Sequence, residues 1–240
     1  MNTGMLQNPG RRVGVLYLLV SIPAVFALIY VPSLLFVHGD PASTLRHIES
    51  SESLFRLGSG AHLLSQACFI FVALGLYHLL KGVNATLAEA MVTLIVVSVP
   101  IAFLNELNSL AALRLLRGEE LLSAVEKPQR DALALLFVRL WGDGIDVASI
   151  FWGLWLFPLG VLVYRSELFP RVLGVLLIAN GVSYVLNSFA SLVFPTYQDV
   201  VARWMKPLQF GELVFMFWLV ILGTRLTGVR KGRVSSSESH

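Results

Sequence analysis

The sequence predicts an all-α fold: a polytopic membrane protein with six transmembrane helices in one bundle. Three observations predict it. Apolar stretches recur six times, each near the roughly 20 helical residues that about 30 Å of hydrocarbon requires. Hydrophobic residues make up 56% of the 240 residues and charged ones 14%, at a mean hydropathy of +0.73, so a water-soluble fold would lack the polar surface to cover its apolar content. No connection between the stretches is long enough to fold by itself, which gives a single membrane domain over residues 1–230 and a polar, disordered tail over 231–240.

The first span is Val13–Val37. Arg11-Arg12 before it imitates an export signal, but a signal h-region takes about 7–15 residues and no A-x-A-like cleavage site follows, so the helix is expected to stay uncleaved. The connection Asp40–Arg56 mixes charges with Leu45, Ile48, Leu54 and Phe55, as a short interfacial helix does. Leu57–Leu80 forms the second span and Gly82–Thr86 a tight hairpin; the glycosylation-like Asn84-Ala85-Thr86 falls in that hairpin and is read as chance. The third span, Leu87–Leu113, contains Pro100, whose kink could open space near Glu106. Leu115–Asp131, with Leu121, Leu122 and Val125, again has interfacial character. The fourth span is Ala132–Val163, the hairpin Arg165–Arg171 places Pro170 at the start of the next helix, and the last spans are Val172–Phe194 and Leu208–Thr224. Pro23, Pro32 and Pro158 are expected to kink their helices; Trp141, Trp152, Trp155 and Trp218 read as packing or interfacial anchors.

An even number of spans puts both termini on one side, with Arg11, Arg12, Lys81, Arg165, Arg171, Arg225, Arg230, Lys231 and Arg233. The other side carries Arg46, Arg56, Arg114, Arg117, Lys127, Arg130, Arg203 and Lys206. The near-equal totals decide little, but short connections and the C-terminal basic cluster favour the first side as cytoplasmic, an N-in/C-in orientation. The pI near 9.2 is then explained by Lys and Arg at membrane edges, and no nucleic-acid partner is assigned. Cys68 is the sole cysteine, which excludes an internal disulfide, a CxxC redox pair and a cysteine zinc cluster.

Polar residues inside the spans carry the functional information, since a charge at the bilayer centre costs on the order of 2.5–3.5 kcal/mol on insertion scales. His62 and Gln66 lie on the second helix, and Asn105, Glu106, Asn108 and Ser109 on the third. Arg139, Asp143 and Asp146 form an i, i+4, i+7 stripe on the fourth, Asn180, Ser183 and Asn187 a similar stripe on the fifth, and Gln209 and Glu212 open the sixth. With N-in topology all but the more central Asn180 fall in the outer half. In one reading they line an acidic, outward-facing pocket, with Glu106, Asp143 and Asp146 meeting across the third and fourth helices and Arg139 within reach of a carboxylate. In the other they are interhelical glue worth roughly 0.6 kcal/mol per contact. One arginine cannot neutralise four acids in a dry interior, which favours water, protons or a cation at the carboxylates.

Neither a metal nor another cofactor is assigned. His62 is the only histidine well inside the cluster; His38 and His47 sit in the first outer loop and His78 at the opposite helix end, and no HExxH or zinc spacing occurs. No G-x-S-x-G supports a serine hydrolase. Leu104-Asn105-Glu106-Leu107 resembles Phe210-Gly211-Glu212-Leu213, yet inverted three-helix repeats would put the two glutamates on opposite sides of the membrane, so a transporter-type repeat is rejected.

The run from Trp155 through Pro158, Tyr164-Arg165-Ser166 and Pro170-Arg171 to Gly174, with Tyr77-His78-Leu79-Leu80 closing the second helix and Asn105-Glu106 in the third, resembles the bacterial integral membrane family called domain of unknown function 4386. The likeness runs from Arg12 to Leu222 and is sharpest in the hairpin between the fourth and fifth helices. It implies a six-span fold in a bacterial inner membrane and transfers no catalytic residue, because the family has no assigned reaction.

The residues therefore point first to binding or transport of a proton, a cation or a small amphiphile in contact with the lipid bilayer. The alternatives are an intramembrane enzyme acting on a lipid-like substrate and a non-catalytic subunit of a membrane complex. The topology is directly checkable: a reporter fused after His240 is expected in the cytoplasm, and Ser51→Cys and Ala124→Cys proteins should react with an impermeant thiol reagent added outside. Outside labelling of Asn84→Cys in intact cells would reverse the orientation.

Overall fold

A chain this apolar closes its backbone hydrogen bonds within helices, because hydrocarbon offers no other partner. The computed structural model describes residues 8–118 and 124–223, and among them every regular element is helical. Helix α1 (Pro9–Val25) continues through a π-helical turn (Phe26–Tyr30) into α2 (Val31–Leu35). Then follow α3 (Pro41–Ser50), α4 (Glu52–Leu80), α5 (Ala85–Arg117), α6 (Lys127–Leu154), α7 (Leu156–Arg165), α8 (Arg171–Val193), α9 (Gln198–Met205) and α10 (Gly211–Leu222). Six stretches are long and apolar enough to cross a membrane: Pro9–Leu35, Glu52–Leu80, Ala85–Arg117, Lys127–Arg165, Arg171–Val193 and Pro195–Leu222.

The helix starts follow local chemistry. Asn8 accepts from the amides of Gly10 and Arg11 with Pro9 in the first turn, and Asp40 accepts from Ser43 with Pro41 beside it. Asn84 is the N-cap of α5, accepting from the Leu87 amide at 3.0 Å, which accounts for an asparagine in that hairpin. Gly118 ends α5 in the left-handed region, at φ 62°.

Prolines place the breaks. Pro158 has no N–H for the Leu154 carbonyl and its ring crowds that oxygen, so the fourth span divides at Trp155 into α6 and α7. Pro32 stands in the same relation to Leu28, inside the π-helical turn, and Val31 donates to Phe26, one residue further back than in an α-helix. Pro100 lies inside an unbroken α5.

Both longer connections are expected to carry interfacial helices. The first contains the expected interfacial helix as α3, with Leu45 and Ile48 buried. In the second, α5 and α6 extend to Arg117 and Lys127, and Glu119, Glu120, Leu121 and Leu122 lie outside the described residues, as do 224–240, including the expected disordered tail. Before α10 the chain adds α9, an exposed helix between two 3-10 turns, where Tyr197, Val200 and Trp204 project outward as interfacial residues do.

Two apolar clusters make up most of the buried core, beside a small third of Leu45, Leu115 and Ala134. One, toward the chain termini, holds Leu76, Met91, Ile95, Leu159, Leu162, Leu177 and Phe215; the other, toward α3, holds Val31, Leu35, Ile48, Phe55, Leu113 and Val138. Leu64, Phe71, Leu104, Leu107, Val175 and Ile221 are exposed, an apolar outer surface suited to lipid tails. Glycine brings α8 against α6 and α7: a Cβ on Gly153 would stand 2.8 Å from the Gly181 carbonyl oxygen, and one on Gly160 2.8 Å from that of Gly174. At the terminal end α1 meets α10 equally closely at Gly14, and the Arg11 side chain donates to the carbonyls of Val220 and Ile221, both at 3.1 Å.

Gly174→Ala, whose Cβ would sit 2.6 Å from the Gly160 carbonyl oxygen, is expected to lower stability by about 1–3 kcal/mol. Gly60→Ala, with nothing within 4 Å of its Cβ, should be neutral or stabilising by up to about 1 kcal/mol. Thermal unfolding of the two proteins in the same detergent checks the contrast.

Candidate functional site

Polar side chains that enter a bundle must be satisfied there. Between the two apolar cores, His62 and Gln66 project from successive turns of α4, both buried. His62 Nδ1 lies 2.7 Å from Glu106 Oε1 on α5, and its Nε2 lies 3.3 Å from Gln66 Nε2. The Trp141 indole of α6 donates to the same Glu106 oxygen at 2.9 Å. Asn105 donates to the Trp141 carbonyl at 2.8 Å and accepts from Asn108 at 3.0 Å. Gly144 makes this possible, because a Cβ there would fall 1.9 Å from Asn105 Oδ1. A void of about 10 Å³, room for one water, borders Ser59, His62, Glu106, Ser109 and Trp141.

The other expected residues lie elsewhere. Asp146 accepts from Ser191 of α8 at 2.6 Å, whereas Asp143 is exposed, so the two do not turn toward Glu106. Arg139 is exposed and forms no ion pair among the described residues, so the expected contact with a carboxylate is absent. The i, i+4, i+7 stripe is real, but it fixes only which residues share a face; Trp141 and Gly144 show that another face of α6 meets α5. Asn180 is fully buried with both amide atoms unpartnered, Asn187 is half-buried with a free Oδ1, and Ser183 donates to the Met205 carbonyl at 2.7 Å.

Glu212 belongs to a separate chamber of about 450 Å³ between α1, α4, α8 and α10 and the Trp155 bend. Its carboxylate accepts from the Tyr17 hydroxyl. Tyr17 packs edge-on to Phe69 at 5.5 Å between ring centres, and Phe69 to Trp155 at 5.2 Å. Trp152 and Tyr184 complete an aromatic wall, to which Ser65, Ser21 and Gln66 add polar groups. Val25, Ile29, Phe210 and Leu213 line the chamber yet are exposed, so its mouth faces sideways, where lipid tails would lie, and exposed Lys206 marks its rim. The volume and mainly apolar lining are those of a small-molecule site. Sequence reasoning passed over Tyr17, Phe69 and Tyr184; the one available signal was a tyrosine inside the first span, a phenol that needs a partner in hydrocarbon. Among the described residues no group of three or more His, Cys, Asp or Glu side chains could hold a metal ion.

An uncharacterized protein of Archaeoglobus fulgidus is 38% identical over 85 residues, 35% of this chain and 49% of that protein, so the match spans about half of the relative's length. No solved structure matches. The family model described as "Domain of unknown function (DUF4386)" matches residues 13–223, nearly the whole membrane bundle, and the chain belongs to that family.

Proposed function

We propose that this protein resides in a bacterial inner membrane, N-in/C-in, and binds a small amphiphile bearing an ammonium group, which enters the α1/α10 chamber sideways from the outer leaflet. The observation that carries the reading is the pairing of Glu212 with an aromatic wall inside an otherwise apolar chamber of about 450 Å³. A carboxylate in hydrocarbon is costly without a countercharge or proton, and aromatic faces attract cations, so the two features favour the same headgroup while the exposed apolar mouth accommodates a tail. Tyr17 holds the carboxylate in place. His62, Glu106, Asn105 and Asn108 form a polar layer that borders the chamber through Gln66.

Trp152 and Trp155 in the chamber wall provide the measurement. In nanodiscs of uncharged lipid, a bromododecylammonium probe should quench tryptophan emission saturably. Dodecylammonium should displace it, and dodecyl sulfate should not. Glu212→Gln is expected to weaken the ammonium about tenfold. Equal displacement by ammonium and sulfate, or an unaltered affinity in Glu212→Gln, would rule the reading out.

A further inference from the structure

Gln66 faces two ways. It lines the chamber, is 6% exposed, and has its Nε2 against His62 while its Oε1 finds no partner. The His62 tautomer explains this orientation. Glu106, as a carboxylate, only accepts, so His62 Nδ1 carries a hydrogen toward it; in a neutral ring Nε2 then holds a lone pair and requires a donor. Gln66 must therefore present its NH₂ to His62, which leaves its carbonyl oxygen as a buried, unused acceptor on a side chain that lines the chamber.

Resting on the ammonium-binding reading, we infer that Gln66 Oε1 and Glu212 together form a headgroup subsite selective for an N–H-bearing ammonium, with His62 setting the orientation of the Gln66 amide. A primary ammonium offers three donors and can satisfy both acceptors. A trimethylammonium has none, so it gains the charge and the aromatic wall but leaves Gln66 Oε1 unpaired. Protonation of His62 reverses the arrangement: Nε2 becomes a donor, the Gln66 amide turns over to accept from it, and the chamber then meets NH₂, which repels the ligand's N–H groups.

The charged and titratable groups around this switch are few. Glu106 of α5 faces His62, with the indoles of Trp141 and Trp152 of α6 alongside; Glu212 of α10, Tyr17 of α1, Tyr184 of α8 and Lys206 at the rim share the chamber with Gln66. Glu212 also accepts N–H from a primary ammonium, so the part of the affinity ratio that belongs to Gln66 and His62 is read by comparing the wild type with variants of those two residues.

The experiment measures dodecylammonium and dodecyltrimethylammonium on the full chain in nanodiscs at pH 8 and pH 5, both heads being charged throughout this range. The wild type should prefer the primary ammonium about tenfold at pH 8 and lose most of that preference at pH 5. Gln66→Met should lower the pH 8 ratio several-fold, leaving only the part owed to Glu212. His62→Phe, which removes the group that orients the amide, should make the ratio change less with pH than it does in the wild type. Binding of neither probe would defeat the chamber reading and this inference with it. Binding of both with equal affinity at pH 8, or a preference that changes with pH alike in the wild type and in His62→Phe, would leave the chamber standing and overturn the role of Gln66 and His62.

Discussion

The bundle is organised around the buried hydrogen bond between His62 and Glu106. It lies between two apolar cores where water is scarce, and leaving a buried hydrogen-bonding group unsatisfied there costs about 1–3 kcal/mol, more where the group is charged. That constraint reaches outward. Glu106 draws in the Trp141 indole, Asn105 holds the Trp141 carbonyl, and Gly144 must lack a side chain so that Asn105 can approach. Three helices, α4, α5 and α6, are thus set in rotation and depth by one polar layer. Side-chain packing of Leu and Val alone distinguishes neighbouring registers weakly, since lipid tails are as apolar as the helix faces.

The spans were legible because hydrocarbon thickness imposes a length and apolar composition marks it. Capping chemistry refined the ends: Asn84, Asp40 and Gly118 stop or start helices within a few residues of the hydropathy boundaries. Rotation about the helix axes was less legible. Asp143, Asp146 and Arg139 share a stripe, yet nothing in their spacing says that the α5-facing side of α6 is the one bearing Trp141 and Gly144. His62, Gln66, Asn105, Glu106 and Asn108 come together because they lie at matching depths on adjacent antiparallel helices, information that topology does contain. Glu212 was visible as a polar residue, but its partner Tyr17 is 195 positions away on the first helix, a pairing that no local pattern encodes.

The chamber has a physical origin in the first span. Pro23 and Pro32 both deprive the helix of a backbone donor, and the π-helical turn between them widens the backbone just where Val25, Leu28 and Ile29 line the cavity. On the facing side Pro207 helps to keep Lys206–Phe210 in a 3-10 turn, so α10 becomes α-helical only at Gly211. Both walls of the mouth are therefore built from irregular backbone. In a membrane such backbone is tolerated where protein or a cavity, rather than lipid, meets its polar groups.

Why the opening lies between α1 and α10 follows from chain connectivity. These are the first and last membrane helices, and no loop ties one to the other at the α3 end. At the terminal end the seam is closed by Gly14 against the α10 backbone and by Arg11 on the carbonyls of Val220 and Ile221. A seam fixed at one end and unlinked at the other can part without stretching a connection or breaking the polar layer, which runs through α4, α5 and α6 instead. Gln66 belongs to both systems, its Nε2 against His62 and its side chain in the chamber lining. The rigid layer that fixes the bundle and the seam that leaves it open thus meet at a single side chain, where a change of hydrogen-bond polarity requires only an amide rotation and no movement of a helix.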